Sequence, residues 1–406
     1  MRVTRLAPTI ERVDAWAPAV VFAGLPTVGL VAGPSYSSMI IGLAVVRLVA
    51  GWGAGRGLPS IDRSFAVLAG VFLLLCWASV TWSIAPRDSI RTSLGLTGVF
   101  VALLVVCAAR HDRPDVVEAV FRVLLVATVV GVAVACLDMA LGYPLQMLIS
   151  TKPGVSAATK YNRGFDYLVL IAWPLLAHVW WRRRWWAVCV LGLTTAVILV
   201  VTLSLAARVA VAAGLVVLVL AWVLPRLVEI ALACATVAYG LVLPLALRLI
   251  AARRDELAPL LKASGLHRLE IWDYMTARVL ERPVLGWGLL SAKSLPIHPD
   301  ELAHYVYVRP AGVYPHNQFL ELWVELGVLG AVLGLIFAVL VLRRVRRLPP
   351  RMRPFAYAAF ASAMAVASVD YEIVTDSWWC ALAASALLFG MLGHLVADAN
   401  VDGRTG

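Results

Sequence analysis

The sequence predicts an all-α, polytopic integral membrane protein of about twelve transmembrane helices. Three observations carry this expectation. Of 406 residues, 62% are hydrophobic and 15% charged, far more apolar side chain than one soluble core could enclose. Apolar runs recur from Ala17 to Val396, each near the roughly 20 residues that an α-helix needs to cross a bilayer. The arginines fall in short tracts between these runs instead of forming one basic face. That distribution makes the formal charge of +11 a topology signal and excludes a nucleic-acid partner.

The predicted spans are 18–33, 35–50, 65–83, 90–109, 116–141, 165–181, 185–203, 206–224, 228–250, 319–342, 354–370 and 377–397. Span seven could run unbroken into span eight, because no Gly or Pro marks a turn near Ser204. A single helix over 185–224 would reach about 60 Å at 1.5 Å per residue, twice the hydrocarbon thickness, so a hairpin is expected. With twelve spans, Arg2, Arg5, Arg12, Arg56, Arg63, Arg110, Arg113, Arg182 to Arg184, Arg226 and the tract Arg343 to Arg353 share one side. The positive-inside bias makes that side cytoplasmic, together with both termini. No removable leader peptide is expected, since no small-residue cleavage site follows the first apolar run.

Two connections on the opposite, periplasmic side are long: 142–164 and 251–318. The chain therefore divides into helices one to nine (1–250), a large periplasmic loop (251–318), and the last three helices with a cytoplasmic C-terminus (319–406). Within the loop, Leu269, Trp272, Met275, Val279 and Leu280 recur at helical spacing, with Glu270, Asp273, Ala277 and Glu281 on other faces. This predicts an amphipathic helix over 268–282, lying along the membrane surface or capping the bundle. Pro283 and the turn Gly286-Trp287-Gly288 end it. The six cysteines lie in apolar stretches without paired spacing and are expected to be packing residues.

A few polar residues stand where hydrophobicity alone would not put them. Arg208 is alone in Leu203-Ser-Leu-Ala-Ala-Arg-Val-Ala-Val, where a buried arginine costs roughly 2.5 to 3.5 kcal/mol on insertion scales. It either snorkels to the interface or grips an anion. Arg163 begins span six at the same level, beside Lys160, and either pairs with Asp166 or joins that site. Arg268 opens the loop helix as a solvated charge or a third anion ligand. Asn317 is a natural N-cap for the helix that starts at Phe319, and the imidazole of His316 beside it suits a general base or charge donor. Glu321 and Glu325 near the outer end of span ten could contribute. His298-Pro-Asp-Glu-Leu-Ala-His304 matches no tight metal-ligand spacing, so a hydrated loop is expected there. Arginines and a histidine at one water boundary fit a diphosphate, whose oxygens guanidinium forks bind bidentately.

Pro315-His-Asn-Gln-Phe-Leu-Glu-Leu-Trp-Val-Glu-Leu-Gly-Val-Leu-Gly330 resembles the His-Asn and Glu-x-Gly-x-x-Gly motif of the O-antigen ligase and polymerase family of bacterial membrane glycosyltransferases. Ser264-Gly-Leu-His-Arg-Leu-Glu-Ile-Trp272, Pro283-Val-Leu-Gly-Trp-Gly288 and the stretch from Ser204 to Arg208 follow the family order, so the resemblance covers roughly 160–335. Ala207 stands where family members often carry Ser. The resemblance implies a GT-C-like bundle in the inner membrane, with its active site facing the periplasm and no metal or other cofactor. The donor would be an undecaprenyl-diphosphate-linked glycan and the acceptor a hydroxyl of lipid A-core, or another lipid-linked repeat unit if the chain is a polymerase. Arg208 and Arg268 would hold the diphosphate and His316 would activate the acceptor or assist departure. Arg163, on position and local similarity alone, and Asn317 and Glu325, on their place at the outer end of span ten, are the further candidate substrate contacts. A lipid-linked sugar transporter is the rival of another class, and would place charge along a path through the bilayer, where only Arg47 and Asp138 are candidates.

Overall fold

The computed structural model describes residues 3–53, 60–108, 113–149, 156–261, 263–306, 308 and 314–401, and among these it is built of helices. Arg2, Arg56 and Arg110 of the predicted topology lie outside the described residues, as does the side chain of His304. The first half of the chain contains α1 (Val3–Gly24), α2 (Val28–Val31), α3 (Ser35–Gly53), α4 (Arg63–Ser79), α5 (Pro86–Val106), α6 (Pro114–Ala140), α7 (Pro144–Ile149) and α8 (Ala157–Trp181). There follow α9 (Trp185–Val201), α10 (Leu205–Val223), α11 (Pro225–Ala251), α12 (Arg254–Leu257), α13 (Ala263–Glu281), α14 (Pro299–His304), α15 (Gln318–Val345), α16 (Arg353–Ala367) and α17 (Asp376–Val401). Eight of them, α3, α5, α6, α8, α10, α11, α15 and α17, are long and apolar enough to cross a membrane, and α4 and α9 are shorter apolar helices. The protein is therefore a polytopic, all-α membrane protein.

Local chemistry sets the boundaries. Pro86, Pro114 and Pro225 start their helices, where the missing N–H has no partner to lose. The α9–α10 hairpin does turn at Ser204, without Gly or Pro. Its backbone N–H donates to Thr202 Oγ1 at 3.0 Å, and its hydroxyl accepts from Ala207 N at 3.0 Å as the N-cap of α10. The first predicted span, 18–33, is corrected: α1 ends at Gly24 and α2 is a separate short turn. Pro26 explains the break, because it has no N–H to continue the ladder and disfavours helical backbone in the residue before it.

Ion pairs gather the basic helix ends at one end of the bundle. Arg344 at the end of α15 pairs with Asp62, and Arg346 Nε meets Glu229 Oε1 at 3.1 Å. Arg182 and Arg184 after α8 pair with Glu118 in the first turns of α6. Arg47 and Asp138, the charges on which a transporter would depend, have local partners. Arg47 Nη1 donates to Val106 O at 2.6 Å, and Asp138 accepts from Leu145 N at 2.6 Å and Tyr161 OH at 2.8 Å.

At the opposite end, the connection between α11 and α15 folds down onto those two helices through α13. Leu269, Met275 and Val279 are buried as the helical spacing predicts, the last two in a cluster with Leu243, Leu247 and Leu320. Two positions differ from expectation. Leu280 is exposed, and Glu270, expected on a solvated face, is buried because Arg254 pairs with its carboxylate and Val306 N donates to it at 3.0 Å. α13 thus caps the bundle. Arg278, fully buried, pairs with Glu281 and Glu301 and holds α14 against α13.

The segment after α13 docks backbone to backbone on a kink in α15. Trp287 N donates to Val324 O at 2.9 Å, Gly288 N to Glu325 O at 2.8 Å, and Val328 N to Pro283 O at 2.8 Å. The kink is Gly327, at φ 64° and ψ −158°, a conformation open essentially to glycine. A side chain at Gly327 would overlap the Val284 carbonyl, and one at Gly286 (φ 67°) would overlap the Glu325 carbonyl. Gly327→Ala or Gly286→Ala should therefore lower thermal stability in detergent by about 2 kcal/mol or more, from strain plus lost docking bonds. Gly98→Ala, with open space around its Cβ, should change stability by no more than about 1 kcal/mol. Equal melting temperatures for all three variants would refute the docking account.

Candidate functional site

The site lies where this capped end of the bundle meets the connection, and four elements build it. From the bundle come the first turns of α8, with Arg163 and Asp166, and the loop between α16 and α17, with Asp370 and Tyr371. From the connection come His267 and Arg268 on α13 and the segment Tyr314 to Asn317 that enters α15. Trp272 Nε1 donates to Pro315 O at 2.7 Å and so ties α13 to that segment.

Asn317 is the structural pivot. Its Oδ1 accepts from Phe319 N at 3.1 Å and Leu320 N at 3.0 Å, capping α15, and its Nδ2 donates to Tyr239 OH at 2.8 Å and Ser368 O at 2.9 Å. With 1% of its surface exposed and its four polar valences used, it has nothing left to offer a ligand; it positions the residue before it. That residue, His316, sits at φ 48°, in the left-handed region that a non-glycine residue adopts only when its surroundings impose it. Its ring lies 3.8 Å from that of Tyr314 and 6.0 Å from that of His267, centroid to centroid. Its Nδ1 stands 3.7 Å from Asp370 Oδ1, too far for a hydrogen bond, and has no hydrogen-bond partner among the described residues.

The arginines differ. Among the described residues, neither Arg163 nor Arg268 has a hydrogen-bond or ion-pair partner, and Arg268 Nε is buried without one. Asp166 does not pair with Arg163. Instead it accepts from Ser204 Oγ at 2.6 Å and Tyr371 OH at 3.0 Å, locking α8 to the α10 cap and to the α16–α17 loop. Arg208 is exposed and closes the α9–α10 turn: Nε donates to Leu199 O at 3.1 Å and Nη2 to Thr202 O at 2.7 Å, leaving Nη1 unused. It stands one turn along α10 from Ser204, whose Asp166 partner is one turn along α8 from Arg163.

Electrostatics show that the charges share one space. Burial, then the carboxylates of Asp370 and Glu372, push the Tyr314 phenol above its ordinary range, while both Arg163 and Arg268 pull it down. Burial, then His316 and Arg268, hold the His267 imidazole below its usual value. Lys293 pairs with Glu372 at 2.8 Å on the edge of this group. The arrangement suits an anion: two unpaired guanidiniums from different elements act on Tyr314, whose ring meets the imidazole of His316.

Glu325 and Glu321 lie behind this surface. Glu325, wholly buried, accepts from Leu290 N at 2.8 Å and Ala292 N at 3.3 Å, and Glu321 accepts from Ile373 N at 2.5 Å. Both fasten loops to α15. Glu301, between His298 and His304, accepts from His298 N at 2.8 Å and from Arg278, and no group of three metal-ligating side chains occurs among the described residues.

Asp370, Tyr314, Tyr371 and His267 are members of the site that the pattern of isolated charges did not single out. The acidic turn at 370–376 was the available signal for Asp370. It sits opposite the basic helix ends, as the site does.

Residues 190–335 match the family described as O-antigen ligase, a stretch that includes Arg208, Arg268, His316, Asn317 and Glu325 but not Arg163 or Asp370. A provisionally named polysaccharide ligase of Rickettsia conorii is 30% identical over 119 residues, 29% of either chain. One of Rickettsia typhi is 23% identical over 317 residues, 76% of either chain, and one of Rickettsia prowazekii is 29% identical over 119 residues. The match thus spans under a third of the Rickettsia conorii protein and about three quarters of the Rickettsia typhi one. No solved structure matches.

A bound anion would favour the charged form of His267, so binding should take up a proton there. The affinity of the full chain for inorganic diphosphate should accordingly rise as pH falls from about 8 to about 6, more steeply than in His267→Gln. Calorimetry in two buffers of different ionisation heat measures this directly. The same pH slope and proton uptake in both proteins would place His267 outside the anion's field.

Proposed function

We propose that this chain, a member of the O-antigen ligase family, moves a glycan from undecaprenyl diphosphate to a hydroxyl of lipid A-core at the periplasmic face of the bacterial inner membrane. The observation that carries the proposal is the pair of unpaired guanidiniums, Arg163 from the bundle and Arg268 from the connection, that both act on Tyr314, whose ring meets that of His316. Placement of the basic helix ends at the opposite end supports the orientation, since such ends stay cytoplasmic.

In this mechanism the acceptor oxygen attacks the anomeric carbon from the face opposite the diphosphate. The bond from that carbon to the diphosphate oxygen breaks with its electron pair, and the sugar is inverted. His316 takes the hydroxyl proton through a ring nitrogen, and Asp370 steadies the imidazolium that results. Arg163 and Arg268 neutralise the charge gathering on the leaving diphosphate, the task a divalent cation performs elsewhere, so the reaction is metal-independent. Arg208 adds its remaining Nη1 at the rim while its other nitrogens hold the α9–α10 turn. Asn317 and Glu325 contribute by positioning the His316 segment and the kink.

The test is release of undecaprenyl diphosphate by the purified protein from a labelled lipid-linked glycan, with and without lipid A-core. Label should move to the core, and Arg268→Ala or His316→Ala should slow transfer by about a hundredfold or more while the protein still inserts and expresses. Arg208→Ala should lose both transfer and some stability of the α9–α10 turn. Chain extension without core would identify a polymerase. Translocation of the lipid-linked sugar without release of undecaprenyl diphosphate would overturn the enzyme assignment.

A further inference from the structure

The basic end of the bundle carries a second feature, which the transfer reaction does not use. A cavity of about 250 Å³ opens between the ends of α8, α9, α10 and the start of α16, lined by Trp180, Trp181, Trp185, Trp222, Arg183 and Arg351. The indoles form a connected wall. Trp180 meets Trp185 edge-on at 4.9 Å and Trp222 at 5.9 Å, and Phe355 stands against both Trp180 and Trp222.

Neighbouring arginines are satisfied within the protein. Arg182 and Arg184 pair with Glu118, Arg344 with Asp62 and Arg346 with Glu229, while Arg353 Nε donates to Leu348 O at 2.9 Å. The two that line the cavity are not: among the described residues, the guanidiniums of Arg183 and Arg351 have no hydrogen-bond or ion-pair partner, and no acidic side chain lines the cavity. Arg183 is also one of the few non-glycine residues in the left-handed region, at φ 54°. That conformation belongs to the tight turn between α8 and α9, where Arg184 N donates to Val179 O at 2.9 Å.

We infer that this cavity binds the headgroup of an anionic phospholipid. Its phosphate would lie between Arg183 and Arg351, and its glycerol and upper acyl chains along Trp185 and Trp222. The chemistry matches: guanidinium forks bind phosphate oxygens, and indoles sit at the headgroup level of a bilayer with their apolar rings toward the chains. A zwitterionic lipid brings a phosphate too, but its ammonium group would meet two unneutralised arginines. The site is therefore selective for net negative lipids. It is at the opposite end of the bundle from His316, so its occupant is not the transfer substrate.

Native mass spectrometry of the purified full chain, titrated with dioleoyl phosphatidylglycerol or dioleoyl phosphatidylcholine, tests the assignment. Wild-type protein should retain the phosphatidylglycerol adduct about thirtyfold more strongly, corresponding to about 2 kcal/mol at roughly 1.4 kcal/mol per decade. Arg183→Gln with Arg351→Gln should bring the two lipids to parity with an unchanged melting temperature, because both side chains are exposed. Trp222→Ala should weaken both lipids. Excess inorganic phosphate should leave the adduct in place; displacement by it would mean a simple anion site. Equal retention of the two lipids by wild-type protein, or an undiminished preference in the double variant, would overturn the inference.

Discussion

Inside the capped end of the bundle, the Glu325 carboxylate takes the amides of Leu290 and Ala292, while its own carbonyl takes the amide of Gly288. A carboxylate so deeply placed costs several kcal/mol unless its oxygens are met by donors, and these donors come from a segment some 35 positions earlier in the chain. The connection between α11 and α15 is therefore fastened to the bundle at Glu325. Gly327 makes this seat geometrically possible by turning α15 aside just where Pro283 and Val284 arrive. Once seated, α13 brings His267 and Arg268 toward Arg163 on α8 and Asp370 in the α16–α17 loop.

The same logic explains how two segments far apart in sequence meet. Pro283-Val-Leu-Gly-Trp-Gly288 and Glu325-Leu-Gly327 are the two halves of one interface, each requiring glycine where the other's backbone passes. His316-Asn317 is the third part. Asn317 spends its amide on the α15 cap, Tyr239 and Ser368, and the left-handed backbone of His316 follows from that anchoring. Strain at a residue with an open ring nitrogen, surrounded by rigid supports, is the pattern of a preorganised reactive group.

Hydropathy and charge spacing disclosed the membrane class, the α9–α10 hairpin and the helix of the connection, because each depends on residues close together in sequence. The break at Pro26 was masked by apolar side chains on both sides, which hydropathy reads without regard to the missing N–H. Glu270 looked solvated because its partner Arg254 lies outside the helical window. The site followed the same division. Arg163, Arg268 and His316 stood out as charges beside apolar runs and do share one space, whereas Glu325 and Asn317, chosen with them, support the backbone. Asp370, Tyr314 and His267 acquire meaning only through the tertiary structure, which brings Asp370 within the electrostatic reach of Arg163, more than 200 positions earlier.

The proposed function requires a guanidinium from the bundle and one from the connection to act on one anion. A double-mutant cycle on the affinity for inorganic diphosphate, using Arg163→Gln, Arg268→Gln and the pair, measures this most directly. If both hold the same ligand, the two losses should be non-additive, with a coupling of about 1 kcal/mol or more. Strict additivity, or an affinity untouched by one of the substitutions, would contradict a shared site.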